Sequence, residues 1–339
     1  MKLKMAVDTK PEAQDDNQRL EELDDCLKDR MSSTEDENDA EGKKGEEKQD
    51  HDCGHQGKSG ACPLLLTYND APTHLKFNPY IRNGYRGYLT TKMCLESVFW
   101  WTNETVNIWS HIFGWMLFMG LTLYDLILLN IHASLADKFI VGLLLVCFQV
   151  CMVSSSMYHT FSCRSERAFM CFLSFDLFGI ALSLLAIYMS GIYYAFWCEK
   201  EWQMFYLVTI CLIFAFAMVL QIPKLKIDAN TKLIVFLSWA LYGVVPTFHW
   251  TAIMGGLENT VVQILLPRVL GMYAISGLAF LIYISKFPER FWSGRVDYIG
   301  SSHQLWHLFV VLALYYWHNT GIKYVEFRMN HGCATDMKL

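Results

Sequence analysis

The chain has 339 residues, of which just over half are hydrophobic, 15% are aromatic and only 18% are charged, against about 25% charged in soluble domains. That balance excludes an ordinary soluble globular domain, and no nucleic-acid partner is expected. The net charge of −5 conceals two unlike parts: residues 1–60 hold 18 acidic and 10 basic residues, whereas the remainder holds 15 acidic and 18 basic.

Residues 1–66 read as a disordered acidic tail, because dense charge and few apolar residues cannot offset the entropy of ordering. The start, Met1-Lys2-Leu3-Lys4, has no apolar core behind it, so a cleavable signal peptide is not expected and the first membrane helix should act as its own insertion signal. Gly57-Lys58-Ser59 resembles the end of a phosphate-binding loop, but Asp52 stands where the leading glycine belongs. His51, Cys53, His55 and Cys62 could hold a metal only loosely, since their spacing fits no standard finger. Residues 67–104 form a juxtamembrane segment. Within it Cys94, Leu95, Val98, Phe99 and Trp101 recur at roughly helical spacing, which predicts a short interfacial helix over 89–102 or an extension of the first span.

Seven apolar windows follow, near 105–127, 138–160, 169–191, 203–222, 232–253, 265–285 and 300–318, each close to the roughly 20 residues that span hydrocarbon. They predict an all-α membrane protein, a seven-transmembrane helix bundle over 105–318 with a short lumenal tail over 319–339. With the N-terminus in the cytosol, twelve Lys and Arg fall in the inside segments (Lys76, Arg82, Arg86, Lys92, Arg164, Arg167, Lys224, Lys226, Lys232, Lys286, Arg290, Arg295) and five outside, with Arg268 at a helix end. By the positive-inside rule the N-terminus is cytosolic and the C-terminus lumenal. Trp and Tyr at helix ends read as an aromatic belt, and His111, His249 and Arg268 read as interhelical bonders or snorkelling groups. Asn103-Glu104-Thr105 matches a glycosylation sequon, but on the cytosolic side it should stay bare. Cys147, Cys151, Cys171 and Cys211 lie in apolar runs and behave as small hydrophobes. A lumenal Cys198–Cys333 bridge is compatible with the topology, yet the spacings carry no disulfide code.

Ionisable residues inside membrane windows are rare and usually functional. Here two clusters stand out, Ser155-x3-His159 with Asp176, and His303-x3-His307. His303 and His307, at i and i+4, share a helix face. The second window ends inside while the third and seventh begin there, so all five residues reach one depth. Three imidazoles leave Zn2+ a fourth position for water, with Asp176 to orient or deprotonate it and Ser155 to bond a substrate carbonyl or a ligand. Gln304 follows His303 where a zincin has Glu, so this is not that protease design. The plainer alternative is that the histidines bond neighbouring helices or sit wetted at the interface. The seventh window has no Asn-Pro-x-x-Tyr and no lysine, which disfavours a rhodopsin-like receptor and a retinal pigment.

From about residue 67 to 320 the chain resembles the progestin and adipoQ receptor family. The resemblance is carried by Asn78-Pro-Tyr-Ile-Arg-Asn-Gly-Tyr-Arg-Gly-Tyr-Leu89, Asn103-Glu-Thr-Val-Asn-Ile-Trp-Ser-His111, Ser155-x3-His159, Asp176, Pro288-Glu-Arg290 and Ser302-His-Gln-Leu-Trp-His307. It implies seven helices, a cytosolic N-terminus and zinc near the inner leaflet on His159, His303 and His307, with Asp176 beside the zinc-bound water and Ser155 next to it. Some members hydrolyse ceramide-like amides or respond to lipids and hormones. Phe148-Gln-Val-Cys-Met152, Tyr242-Gly-Val-Val-Pro246 with His249-Trp250, Tyr283-Ile-Ser-Lys286 and Gly300-Ser-Ser-His303 are most similar to the Golgi branch that tethers Raf kinase. That likeness implies damping of the Raf–MEK–ERK cascade and a link to the sterol-sensing machinery that carries SREBP. The acidic residues 1–60 depart from the family pattern.

Overall fold

The computed structural model describes residues 65–128, 134–222, 225, 227–331 and 333. The tail candidates at 51–62 lie outside them. A two-residue ribbon, β1 (Leu65–Leu66) and β2 (Tyr85–Arg86), precedes the helices. These are α1 (Thr91–Glu96), α2 (Thr105–Leu128), α3 (Leu135–Phe161), α4 (Glu166–Ala195), α5 (Lys200–Val219), α6 (Ala229–Tyr242), α7 (Val244–Ile253), α8 (Thr260–Ser285) and α9 (Ser302–Asn330). A helix closes its own backbone hydrogen bonds, which is why long apolar runs take this form where no water can substitute. Polar caps mark the starts: Ser134, Ser165, Asp228 and Asn259 each accept from a backbone N–H of the first turn.

Six of the described segments are long and apolar enough to cross a membrane, with α6 and α7 together forming one of them. The chain is therefore a helical multi-pass membrane protein. Its surface fits that reading. Phe113, Leu123, Phe139, Leu212, Phe248 and Leu281 face outward, whereas Asn107, His111, Asp125, Ser155, His159, His307 and His318 are buried. The α9 helix is long enough, at 29 residues, but more polar, because it carries the histidines. It also outruns the expected window by twelve residues and so includes Lys323, which donates to Glu326 at 2.7 Å on the exposed face.

Two local features differ from the apolar pattern. The fifth window is broken at Gly243, where the hydroxyl of Tyr188 donates to Trp239 O and Ala240 O and accepts from Gly243 N at 3.0 Å. A Cβ at Gly243 would collide with the Tyr273 hydroxyl and the Tyr188 ring, so this crossing requires glycine. Far from the N-terminal ribbon, Cys198 and Cys333 form a disulfide across 135 residues of sequence. No spacing signalled it.

At the opposite end, the juxtamembrane segment and the α8–α9 connection lock together. Glu289, fully buried, accepts from Asn78 Nδ2 at 3.0 Å, from Ser302 N at 2.7 Å and from Ser302 Oγ. It thereby caps α9 from a distance, where a negative charge suits the helix N-terminus. Asp297 accepts from Arg82 N and from both nitrogens of Asn83. Gly84, at φ 86°, abuts Asn103 N and Tyr298 so closely that only glycine fits. Gln304 accepts from Gly300 N and donates to Asn103 O and Tyr298 O. The buried Arg86 donates to Ser97 Oγ, to Thr160 O and to His159 O at the C-terminal turn of α3.

Candidate metal centre

This scaffold brings the starts of α2, α4 and α9 against the end of α3. His159 reaches in from the last turn of α3; His303 and His307 project from the first two turns of α9. One nitrogen from each imidazole lies within 4.8 Å of the others. The Nε2 atoms of His303 and His307 are 3.3 Å apart. A tetrahedral zinc with Zn–N of about 2.0–2.1 Å separates ligand nitrogens by about 3.3 Å, so that spacing fits the ion. His159 Nε2 is buried without a hydrogen-bond partner. Buried polar atoms are rarely orphaned, and a converging set of imidazole lone pairs is a donor set that suits Zn2+.

Asp176, on α4, is half-buried and lies near enough to Ser155 and His159 to interact electrostatically with both. It is not one of the three converging residues, and Ser155 stands one turn before His159 on α3. All five expected residues thus meet in one locality, with three nitrogens inward and a carboxylate–hydroxyl pair beside them.

The structure adds two residues. Glu104, immediately before α2, accepts from His159 Nδ1 at 2.7 Å and from Asn107 Nδ2 at 2.6 Å. Burial raises the pKa of its carboxyl, but His159, then Arg86 and Asn107, outweigh burial and hold it below the usual carboxylate range. His111 lies two turns on, its Nε2 3.0 Å from His307 Nδ1. It does bond across helices, as the sequence suggests, but to a member of the triad.

The family model described as haemolysin-III related matches residues 99–318. Human progestin and adipoQ receptor family member 3 is 43% identical over 280 residues, covering 79% of this chain and 88% of its own length. The chain belongs to the haemolysin III-related, progestin and adipoQ receptor family. The mouse family member 3 is 44% identical over 275 residues with the same shares. A fruit-fly adiponectin receptor protein is 30% identical over 252 residues, covering 73% of this chain and 56% of its own length. The family match includes every residue of the candidate centre from Glu104 to His307. Glu104 and His111 sit inside the Asn103–His111 block that suggested the family, yet reading Asn103-Glu104-Thr105 as a sequon hid the carboxylate. Only the i, i+7 spacing that places Glu104 and His111 on one face could have flagged them.

Proposed function

We propose that this protein is a seven-helix Golgi membrane protein that holds Zn2+ on His159, His303 and His307 and tethers Raf kinase through residues before about 104. The observation carrying the metal part is the convergence of three imidazole nitrogens, one of them buried and unpartnered. The scaffold part rests on the likeness to family member 3 across most of both chains. The choice of Raf and of the Golgi comes from the resemblance of the Phe148–Met152, Tyr242–Trp250 and Gly300–His303 blocks to the Raf-tethering branch. A link to the SREBP-carrying machinery has the same footing. Zinc, by joining α3 to α9, would add its binding energy to the folded bundle.

The orientation has two independent supports. One is the Lys and Arg bias across the loops. The other is the Cys198–Cys333 bond at the end of the bundle remote from the triad, since disulfides persist in oxidising compartments. Together they favour a lumenal C-terminus and a cytosolic metal centre. In that frame α1 lies along the inner leaflet, its Leu95 outward, followed by the exposed Phe99 and Trp101.

A second reading is favoured by the Asp176–Ser155 pair beside the triad: a zinc-dependent lipid amidase of ceramidase type, or a lipid or hormone receptor. Bound zinc would act as a Lewis acid and acidify a water in its open position. In this reading Asp176 would take a proton from that water, and the Ser155 hydroxyl would orient an amide carbonyl. Overexpression tests the scaffold reading: Raf should move to a perinuclear compartment and ERK phosphorylation should fall. Deleting residues 1–88 should abolish both effects without preventing insertion. If full-length protein reaches the Golgi and Raf stays put, the lipid reading replaces it.

A further inference from the structure

We propose that Glu104 and His111 are positioning residues for the metal centre, fixing which nitrogen of His159 and of His307 faces the ion. The inference rests on the zinc reading above and extends it to side chains that never touch the metal.

A carboxylate can only accept hydrogen bonds. With Glu104 Oε2 2.7 Å away, His159 Nδ1 must carry a proton, which in the neutral imidazole, the form that binds a metal, leaves Nε2 as a free lone pair. That Nε2 is the buried atom without a partner. Were Glu104 simply helix-to-helix glue, nothing would require the other ring nitrogen to be orphaned among two further imidazoles. The same division recurs on His307. Its Nε2 faces His303 at 3.3 Å, and its Nδ1 faces His111 at 3.0 Å. A metal on Nε2 puts the proton on Nδ1, so His111 Nε2 accepts and His111 Nδ1 carries a hydrogen; that Nδ1 is buried and unpaired. In each ring one nitrogen is tied to an outer partner and the other converges on the centre. Metal-bound histidines are ordinarily held this way, and the partners raise ligand basicity as well as fixing the tautomer.

The chain takes care over the placement of Glu104. Thr105 Oγ1 donates to Trp100 O at 2.8 Å and accepts from Thr102 N; Glu104 N donates to Thr102 Oγ1 at 3.1 Å. Gln304, between the two α9 histidines, donates to Asn103 O. Arg86 grips the carbonyl of His159 itself. The carboxylate and the imidazole it orients are therefore each fixed by separate contacts.

The test is Zn2+ affinity, read by competition with a chromogenic chelator on purified full-length protein, with the visible spectrum of the Co2+-substituted form reporting ligand geometry. Glu104→Ala should weaken binding roughly 10–100-fold and alter the cobalt spectrum, and the melting temperature of the metal-stripped protein should fall as well, because Asn107 Nδ2 and His159 Nδ1 lose their acceptor. Glu104→Gln, whose carbonyl still accepts from Nδ1, should recover most of the affinity. His111→Phe should weaken binding and His111→Gln should largely restore it, which keeps the test alive if Glu104→Ala does not fold. Unchanged affinity in Glu104→Ala and His111→Phe, or a Gln variant as weak as Ala or Phe, overturns the positioning role. A wild-type protein that binds no zinc overturns the metal reading instead.

Discussion

Removing the Glu289 carboxylate is expected to loosen a metal centre that it does not touch. Glu289 is fully buried and accepts from Ser302 N, Ser302 Oγ and Asn78 Nδ2. In Glu289→Ala the Ser302 N–H and the Asn78 amide lose their acceptor inside the protein. Each buried donor left unsatisfied costs roughly 1–3 kcal/mol. Loss of the negative charge at the α9 N-terminus adds about 0.3–1 kcal/mol. The Ser302 hydroxyl can turn to another acceptor, so the sum is about 2–7 kcal/mol. His303 is the next residue, so a frayed first turn moves one proposed ligand and weakens its pairing with His307. The assay is thermal unfolding of detergent-purified protein followed by size-exclusion fluorescence, with zinc per folded chain measured on the same peak. Glu289→Ala should melt well below wild type and retain less zinc. Glu289→Gln, which keeps the shape and one acceptor, should fall between them. A Glu289→Ala protein with wild-type melting and wild-type zinc would refute the idea that a remote cap positions the α9 histidines.

Three further outcomes are expected. Asp176→Ala should abolish any ceramide hydrolysis while leaving zinc content much less changed, and activity surviving that substitution would leave zinc a structural role. Cys198→Ser should change mobility on non-reducing gels; loop-closure entropy for 135 residues sets a loss of about 5 kcal/mol as the upper limit, and membrane insertion of the unfolded chain should make the real loss smaller. Asn103 should carry no glycan, so an endoglycosidase-sensitive mass shift that vanishes in Asn103→Gln would overturn the cytosolic placement of the centre.

Much of this architecture was legible because hydrocarbon imposes a simple rule on sequence. The window near 105–127 became Thr105–Leu128, and that near 138–160 became Leu135–Phe161, since apolar length and helix length coincide within a bilayer. The interfacial stretch 89–102 contains the helix Thr91–Glu96. Where structure leaves the apolar region the rule weakens. The last helix runs to Asn330 although its apolar run stops near Trp317, and the break at Gly243 depends on a hydroxyl 55 residues away.

The candidate site divides along the same line. Ser155, His159, Asp176, His303 and His307 stood out because polar residues in apolar windows are conspicuous, and inferred helix direction put them at one depth. Glu104 and Glu289 did not, because they lie just outside the windows, where a carboxylate is unremarkable. Their roles arise from partners 55 and 13 residues away, a distance over which no local spacing reports. The Cys198–Cys333 pair was open from the topology, but across 135 residues no spacing could establish the bond that the structure contains.

The central claim is that three histidines from two helices hold one zinc ion. Metal analysis of purified wild-type protein and of His307→Ala, by plasma mass spectrometry after gel filtration, tests it most directly. Near-stoichiometric zinc in wild type and its loss in His307→Ala is the predicted result. Equal metal content in the two proteins would contradict it.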